Sequence, residues 1–188
     1  MTAGGDAERF ERLIAPHLDA VHNLAAWLTG DAADAADLAQ DTYLRAFRFF
    51  DQVRGDNVKP WLLKILRNTH YSRLKAASHT PAFTSFDDAA AEVALAVAGD
   101  GESASDPEAL LLRTEDGDLI RRALFDLSED QRMILILREA EGLAYKDIAE
   151  ILDIPLGTVM SRLGRARKLL SARVSRLRQE AGNGSRRS

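Results

Sequence analysis

The sequence predicts an all-α protein of two small helical domains joined by a flexible acidic linker, with a helix-turn-helix in the C-terminal domain. Three observations predict it. Apolar residues recur at the three- and four-residue spacing of amphipathic helices, and no alternating strand pattern persists. The periodicity fades between residues 79 and 106, where Pro81, Gly99, Gly101 and several serines sit among acids and alanines. Near the C-terminus, Asp153-Ile154-Pro155 separates two apolar-faced helical segments.

In chain order, Phe10, Leu13, Ile14, Leu18, Val21, Leu24, Ala25 and Leu28 line one side of a helical stretch over 7–28. Pro16 should kink or divide it. Thr29-Gly30-Asp31 is a stop and restart, with Gly30 suited to a helix C-terminus and Asp31 to the next N-cap. A second helix is expected over 32–50, a loop over 51–59, and a third helix from Pro60 to about Ala77. After the linker, Asp106-Pro107-Glu108 opens a helix reaching Phe125. Ser128-Glu129-Asp130-Gln131 is a capping box for the next, which ends near Gly142. Met133 to Leu137 could pass for a buried strand, but the capping box decides for helix. The domains are thus 1–78 and 107–180, with a linker over 79–106 and a disordered basic tail over 181–188.

The absence of cysteine excludes disulfides and thiolate chemistry. The N-terminus lacks the basic and apolar segments of a secretory signal, and no apolar run approaches a membrane span, so a cytoplasmic protein is expected. The four histidines show no metal-ligand spacing, and no nucleophile elbow or phosphate loop is present. No catalytic residue, metal, cofactor or small-molecule substrate is expected.

A net charge of −4 conceals an uneven distribution. Acids and bases balance at ten each over 1–83. Ten acids face Arg113 alone over 84–118, and fourteen bases face nine acids from Leu119 onward. Beyond Leu156 the one acid is Glu180, against nine bases. A cationic stripe of that kind binds phosphate by releasing counterions.

That stripe lies on the helix-turn-helix. Ile148, Ala149 and Leu152 form the apolar face of a short helix, and Asp153 tolerates the left-handed turn. Val159, Leu163, Ala166 and Leu170 form the buried stripe of the next helix. Its exposed side carries Thr158, Ser161, Arg162, Arg165 and Lys168, a set suited to a major groove. Gly157 lets a phosphate approach the first amides. By itself this motif fits a stand-alone regulator as well as an initiation factor.

Two segments carry a family resemblance. Leu127 to Ala172, with Leu-Ser-Glu-Asp-Gln-Arg-Met, Gly142-Leu-Ala-Tyr-Lys-Asp-Ile-Ala and Ile154-Pro-Leu-Gly-Thr-Val-Met-Ser-Arg-Leu, resembles the fourth region of extracytoplasmic-function sigma factors. Leu28-Thr-Gly-Asp-Ala-Ala-Asp-Ala-Ala-Asp-Leu-Ala-Gln-Asp-Thr-Tyr-Leu-Arg-Ala-Phe and Trp61-Leu-Leu-Lys-Ile-Leu-Arg-Asn-Thr resemble their second region. The resemblance implies a transcription initiation factor that binds core RNA polymerase and promoter DNA and is held by an anti-sigma factor. It implies core-polymerase docking through Asp34, Asp37, Leu38, Gln40, Asp41 and Thr42. At the minus-ten element, it implies a base pocket of Arg54, Asn57, Val58 and Asn68. Lys64, Arg67, Arg73 and Lys75 would follow the backbone, and Tyr71 would stack. Trp61 reads equally well as a core anchor. At the minus-thirty-five element it implies base contacts by Ser161 and Arg165, and phosphate contacts by Thr158, Arg162, Arg167 and Lys168 beside Gly157. Gly164 departs from the bulkier residue more usual there. The linker would thread a polymerase channel or serve as a solubilising tether.

Overall fold

The computed structural model describes residues 3–53, 55, 57–77 and 115–184. The linker, the opening of the helix expected from Asp106, and Arg54 lie outside the described residues. All regular structure among those described is helical.

Pro16 divides the first stretch as expected: α1 (Ala3–Ile14) and α2 (Leu18–Thr29) flank a single tight turn, Ala15–His17. The missing N–H and the ring of proline forbid a continuous ladder there. Gly30 ends α2 at φ +74°, its N–H donating to the Ala26 carbonyl at 2.9 Å. Asp31 then caps α3 (Ala32–Arg48), accepting from the Ala33 and Asp34 amides at 2.8 and 3.0 Å. These caps satisfy donors and acceptors that a helix end would otherwise strand. A short turn, Phe50–Gln52, leads to α4 (Val58–Ala77), which starts two residues before Pro60. Proline is still within the first turn, where its missing N–H costs nothing.

The second half contains α5 (Glu115–Phe125), α6 (Glu129–Leu135), α7 (Tyr145–Leu152) and α8 (Leu156–Gly184). The Ser128 capping box at α6 is present, with Gln131 closing it. Met133 to Leu137 is buried as the strand-like run suggested, yet helical. Its continuation, Ile136–Ala140, widens into a π turn. Asp153 adopts φ +56° between α7 and α8. The expected tail at 181–188 is corrected in its first part, since α8 runs on to Gly184. No proline interrupts it, and elongating an existing helix costs far less than starting one.

The two halves do not stand apart. One buried cluster joins Leu24, Leu28, Leu62 and Leu66 of the first half to Leu124, Leu127, Ile134 and Leu137 of the second. Trp27 stacks on Phe125 with ring centroids 5.7 Å apart, and the Arg132 guanidinium lies 4.5 Å over the Phe125 ring. Glu141 reaches across, accepting from Asn23 Nδ2 at 2.8 Å and pairing with Lys59 Nζ at 3.0 Å. Lys59 Nζ also donates to the Glu141 carbonyl at 2.9 Å.

Candidate polymerase and nucleic-acid interfaces

Three surfaces gather the residues of interest. The first is the outer face of α3. Asp34, Asp37 and Gln40 are exposed and Asp41 is half-buried. Leu38 and Thr42 do not belong to it. Both are fully buried, and Thr42 Oγ1 donates to the Leu38 carbonyl at 2.8 Å. They lie on the adjacent helical row, which turns inward with Ala35, Ala39 and Ala46. Buried there, they seat the acidic face from beneath.

The second surface is one face of α4. Lys64, Arg67, Asn68, Tyr71 and Lys75 recur at i, i+3, i+4, i+7 and i+11 and so share a side. The Arg67 guanidinium sits 5.2 Å over the Tyr71 ring. The Tyr71 hydroxyl donates to Asp130 in the second half. Burial, and then the bond to Asp130, raises the Tyr71 pKa well above that of an ordinary phenol. Beside it, His70 Nε2 and Glu129 Oε1 lie 3.0 Å apart without hydrogen-bond alignment, and neither atom has another hydrogen-bond partner. Asn57 is exposed ahead of the helix.

Two expected members of this surface fall elsewhere. Val58 is 1 % exposed and packs in the core, so it lines no base pocket. Arg73 projects toward α3. It donates to Asp41 Oδ2 at 2.6 and 3.0 Å and to the Asp37 carbonyl at 3.0 Å. Such a multiply bonded guanidinium staples α4 to α3 and leaves the phosphate track. Trp61 is half-buried against the core, which is the anchor reading.

The third surface is the start of α8. Val159, Leu163 and Ala166 form the buried stripe, with Leu170 half-buried behind them. Opposite it, Gly157, Ser161, Arg165 and Lys168 are exposed, while Thr158 and Arg162 are half-buried. Ser161 Oγ donates to the Thr158 carbonyl at 3.1 Å. A Cβ at Gly157 would meet nothing within 4 Å, so packing does not demand glycine there, and the first turn lies open to solvent. Arg167 is the exception in this set. Its guanidinium gives Glu139 bonds of 2.7 and 2.9 Å, because residue 167 lies on the flank that meets the π turn. In this arrangement it braces α8 and is not free for phosphate.

Sequence reasoning missed Asn23, Lys59, Glu129, Asp130 and Glu141, which join the halves. No local signal could have paired Lys59 with a residue 82 positions away. Among the described residues there is no cluster of three or more metal-ligating side chains, and no helix is long and apolar enough to cross a membrane.

An acidic helix face, a cationic aromatic-bearing helix and a helix-turn-helix in this order define a class. The description of Sigma-70 region 2 matches residues 13–80, and that of Sigma-70, region 4, matches residues 117–170. The chain belongs to the sigma-70-type sigma factors, and within them to the extracytoplasmic-function group of transcription initiation factors. It is 34% identical to the RNA polymerase sigma-H factor of Pseudomonas aeruginosa over 180 residues, covering 94% of this chain and 92% of that protein. It is 34% identical to the ECF RNA polymerase sigma-E factor of Escherichia coli over 174 residues, covering 92% of this chain and 90% of that one. Among solved structures it is similar to the sigma factor RpoE from Bartonella quintana in complex with the anti-sigma factor NepR. That match has a TM-score of 0.65 and 30% identity, covering 89% of this chain and 98% of the other.

Proposed function

We propose that the chain directs core polymerase to its promoters through a fixed division of labour. The unit over 1–78 docks on the enzyme through Asp34, Asp37, Gln40 and Asp41, and opens the minus-ten element with the α4 face. Lys64, Arg67 and Lys75 follow the single strand, Tyr71 stacks, and Arg54, Asn57 and Asn68 read the extruded base. The linker over 79–106 spans to the unit over 107–180, where Ser161 and Arg165 read the minus-thirty-five element. Thr158, Arg162 and Lys168 hold phosphates beside Gly157. The protein carries no catalysis of its own and works in the cytoplasm. The capture of the similar Bartonella factor with an anti-sigma protein supports control of this chain by a protein of that kind.

The observation that carries this reading is the separation of charge. Exposed Asp34 and Asp37 sit on the first half of α3, half-buried Lys64 and Arg67 with exposed Lys75 sit on one side of α4, and exposed Arg165 and Lys168 sit at the start of α8. The test is reconstitution with sigma-free core polymerase, followed by mapping of transcription start sites. Asp34→Asn with Asp37→Asn, which spares the Asp41–Arg73 pair, should weaken association with core while the fold persists. Undiminished association would remove the docking assignment.

A further inference from the structure

The exposed face of α8 has two unlike edges. Arg165 and Thr158 lie along one. Along the other, Met160 is followed at i+4 by Gly164. The buried stripe is complete without Met160, since Val159, Leu163 and Ala166 are 0–1 % exposed. Met160 is instead 51 % exposed. Helical side chains lean toward the N-terminus of their helix, so a larger residue at 164 would lie over the Met160 side chain. Glycine leaves it bare. That arrangement is costly twice, in exposed apolar surface and in a glycine within a helix interior.

We infer that Met160 selects a thymine in the upstream promoter element by apolar contact with its C5-methyl group. The inference rests on the proposal that the start of α8 enters the major groove there. A duplex touching Ser161 and Arg165 also meets Met160, which lies in the same turn. The thymine methyl is the apolar feature on major-groove base edges. A thioether can neither satisfy the cytosine N4 donor nor repay its desolvation, so at this position a pyrimidine with a methyl is favoured over one without. Gly164 supplies the room for the base edge to approach. Leu156, 49 % exposed and one turn earlier on the same row, extends the apolar edge toward the flanking sugar.

The test uses the full chain bound to core polymerase on a promoter library randomised across the upstream element. The selected sequence should contain a thymine whose replacement by deoxyuridine lowers initiation about fourfold, the value of one buried methyl. At the same position 5-methylcytosine should outperform cytosine. Both differences should vanish in Met160→Ala, a change at an exposed site that leaves the core stripe intact. The inference is overturned if no methyl in the element matters, or if Met160→Ala discriminates thymine from uracil as the parent chain does. Arg165→Ala separates the two failures. If it alters the selected sequence while no methyl effect is seen, groove entry stands and the Met160 assignment alone fails. If it alters nothing, groove entry by α8 fails first.

Discussion

At Gly30 the backbone turns through φ +74°, and a Cβ built there would come within 3.1 Å of Phe125 Cε1. The left-handed conformation costs a non-glycine residue about 1–2 kcal/mol. The contact adds to this, because Phe125 already packs against Trp27 and Arg132 and must shift to make room. Gly30→Ala should therefore lower the unfolding free energy by more than the backbone cost alone, about 3 kcal/mol in total by urea denaturation. Pairing it with Phe125→Leu should recover part of the loss. The first constraint was legible, since Gly30-Asp31 reads as a stop and an N-cap. The second was not, because Phe125 is remote in sequence. Tyr71 offers a second residue-scale test. Its phenol is buried and bonded to Asp130, so it keeps its proton in the folded chain above the pH at which the unfolded chain loses it. A raised pKa means stability fully present below about pH 10 and lost as pH rises through the folded value. Tyr71→Phe should remove the last phenol to ionise in an alkaline absorbance titration and flatten the fall of stability above pH 10. If the phenol lost from the curve is one that ionises near the ordinary value of about 10, Tyr71 stands in solvent.

Among the elements, the helix-turn-helix was readable almost residue by residue. Its apolar stripe, its left-handed Asp153 and its exposed hydroxyl and basic residues all follow from local spacing. What spacing could not supply was the neighbour on each flank. Arg167 looks as exposed and as basic as Arg165 in the sequence, but the π turn at Ile136–Ala140 brings Glu139 against it. A π turn adds a residue to the helical repeat and rotates all that follows, and a run buried on every side gives no sign of it. Leu38, Thr42, Val58 and Arg73 misled for the same reason. Each lies one helical row from the surface it was assigned to, and periodicity alone does not locate the edge of a buried face. The remaining bases of α8 divide by task. Lys168→Ala should weaken binding about equally on all promoter sequences and reduce the slope of log affinity against log salt by about 1. Arg165→Ala should cost about 1–3 kcal/mol on the preferred sequence and relax selectivity at one position. Holoenzyme binding titrations at several salt concentrations distinguish them, and identical salt slopes for the two variants would refute the division.

For the whole molecule, the sequence suggested two domains joined by a flexible linker and left their relative placement open, and the halves share a core and a set of polar bridges. The bridges use the same helix proposed to melt DNA. Asp130 takes the Tyr71 hydroxyl, and Glu141 takes Lys59 at the start of α4. Carboxylates of the second half thus stand beside the α4 surface that would receive a phosphate backbone, so the packed arrangement and a melted strand exclude each other on α4. Glu141 is central to the packing. Its side chain is 6% exposed, and removing it leaves Asn23 without its acceptor and the partly buried Lys59 with the residue-141 backbone carbonyl in place of its ion pair. A buried acceptor lost in this way costs about 1–3 kcal/mol. The chain has no cysteine, so a pair introduced at the exposed Ala77 and Ala172 labels uniquely for energy transfer. Addition of core polymerase should lower the transfer efficiency as the halves part. Glu141→Ala should lower it before any polymerase is added and reduce the polymerase concentration needed for the rest of the change. If the parent chain keeps one efficiency throughout a polymerase titration that demonstrably forms holoenzyme, the halves stay packed in the working complex, and the α4 face cannot be the surface that holds the open strand.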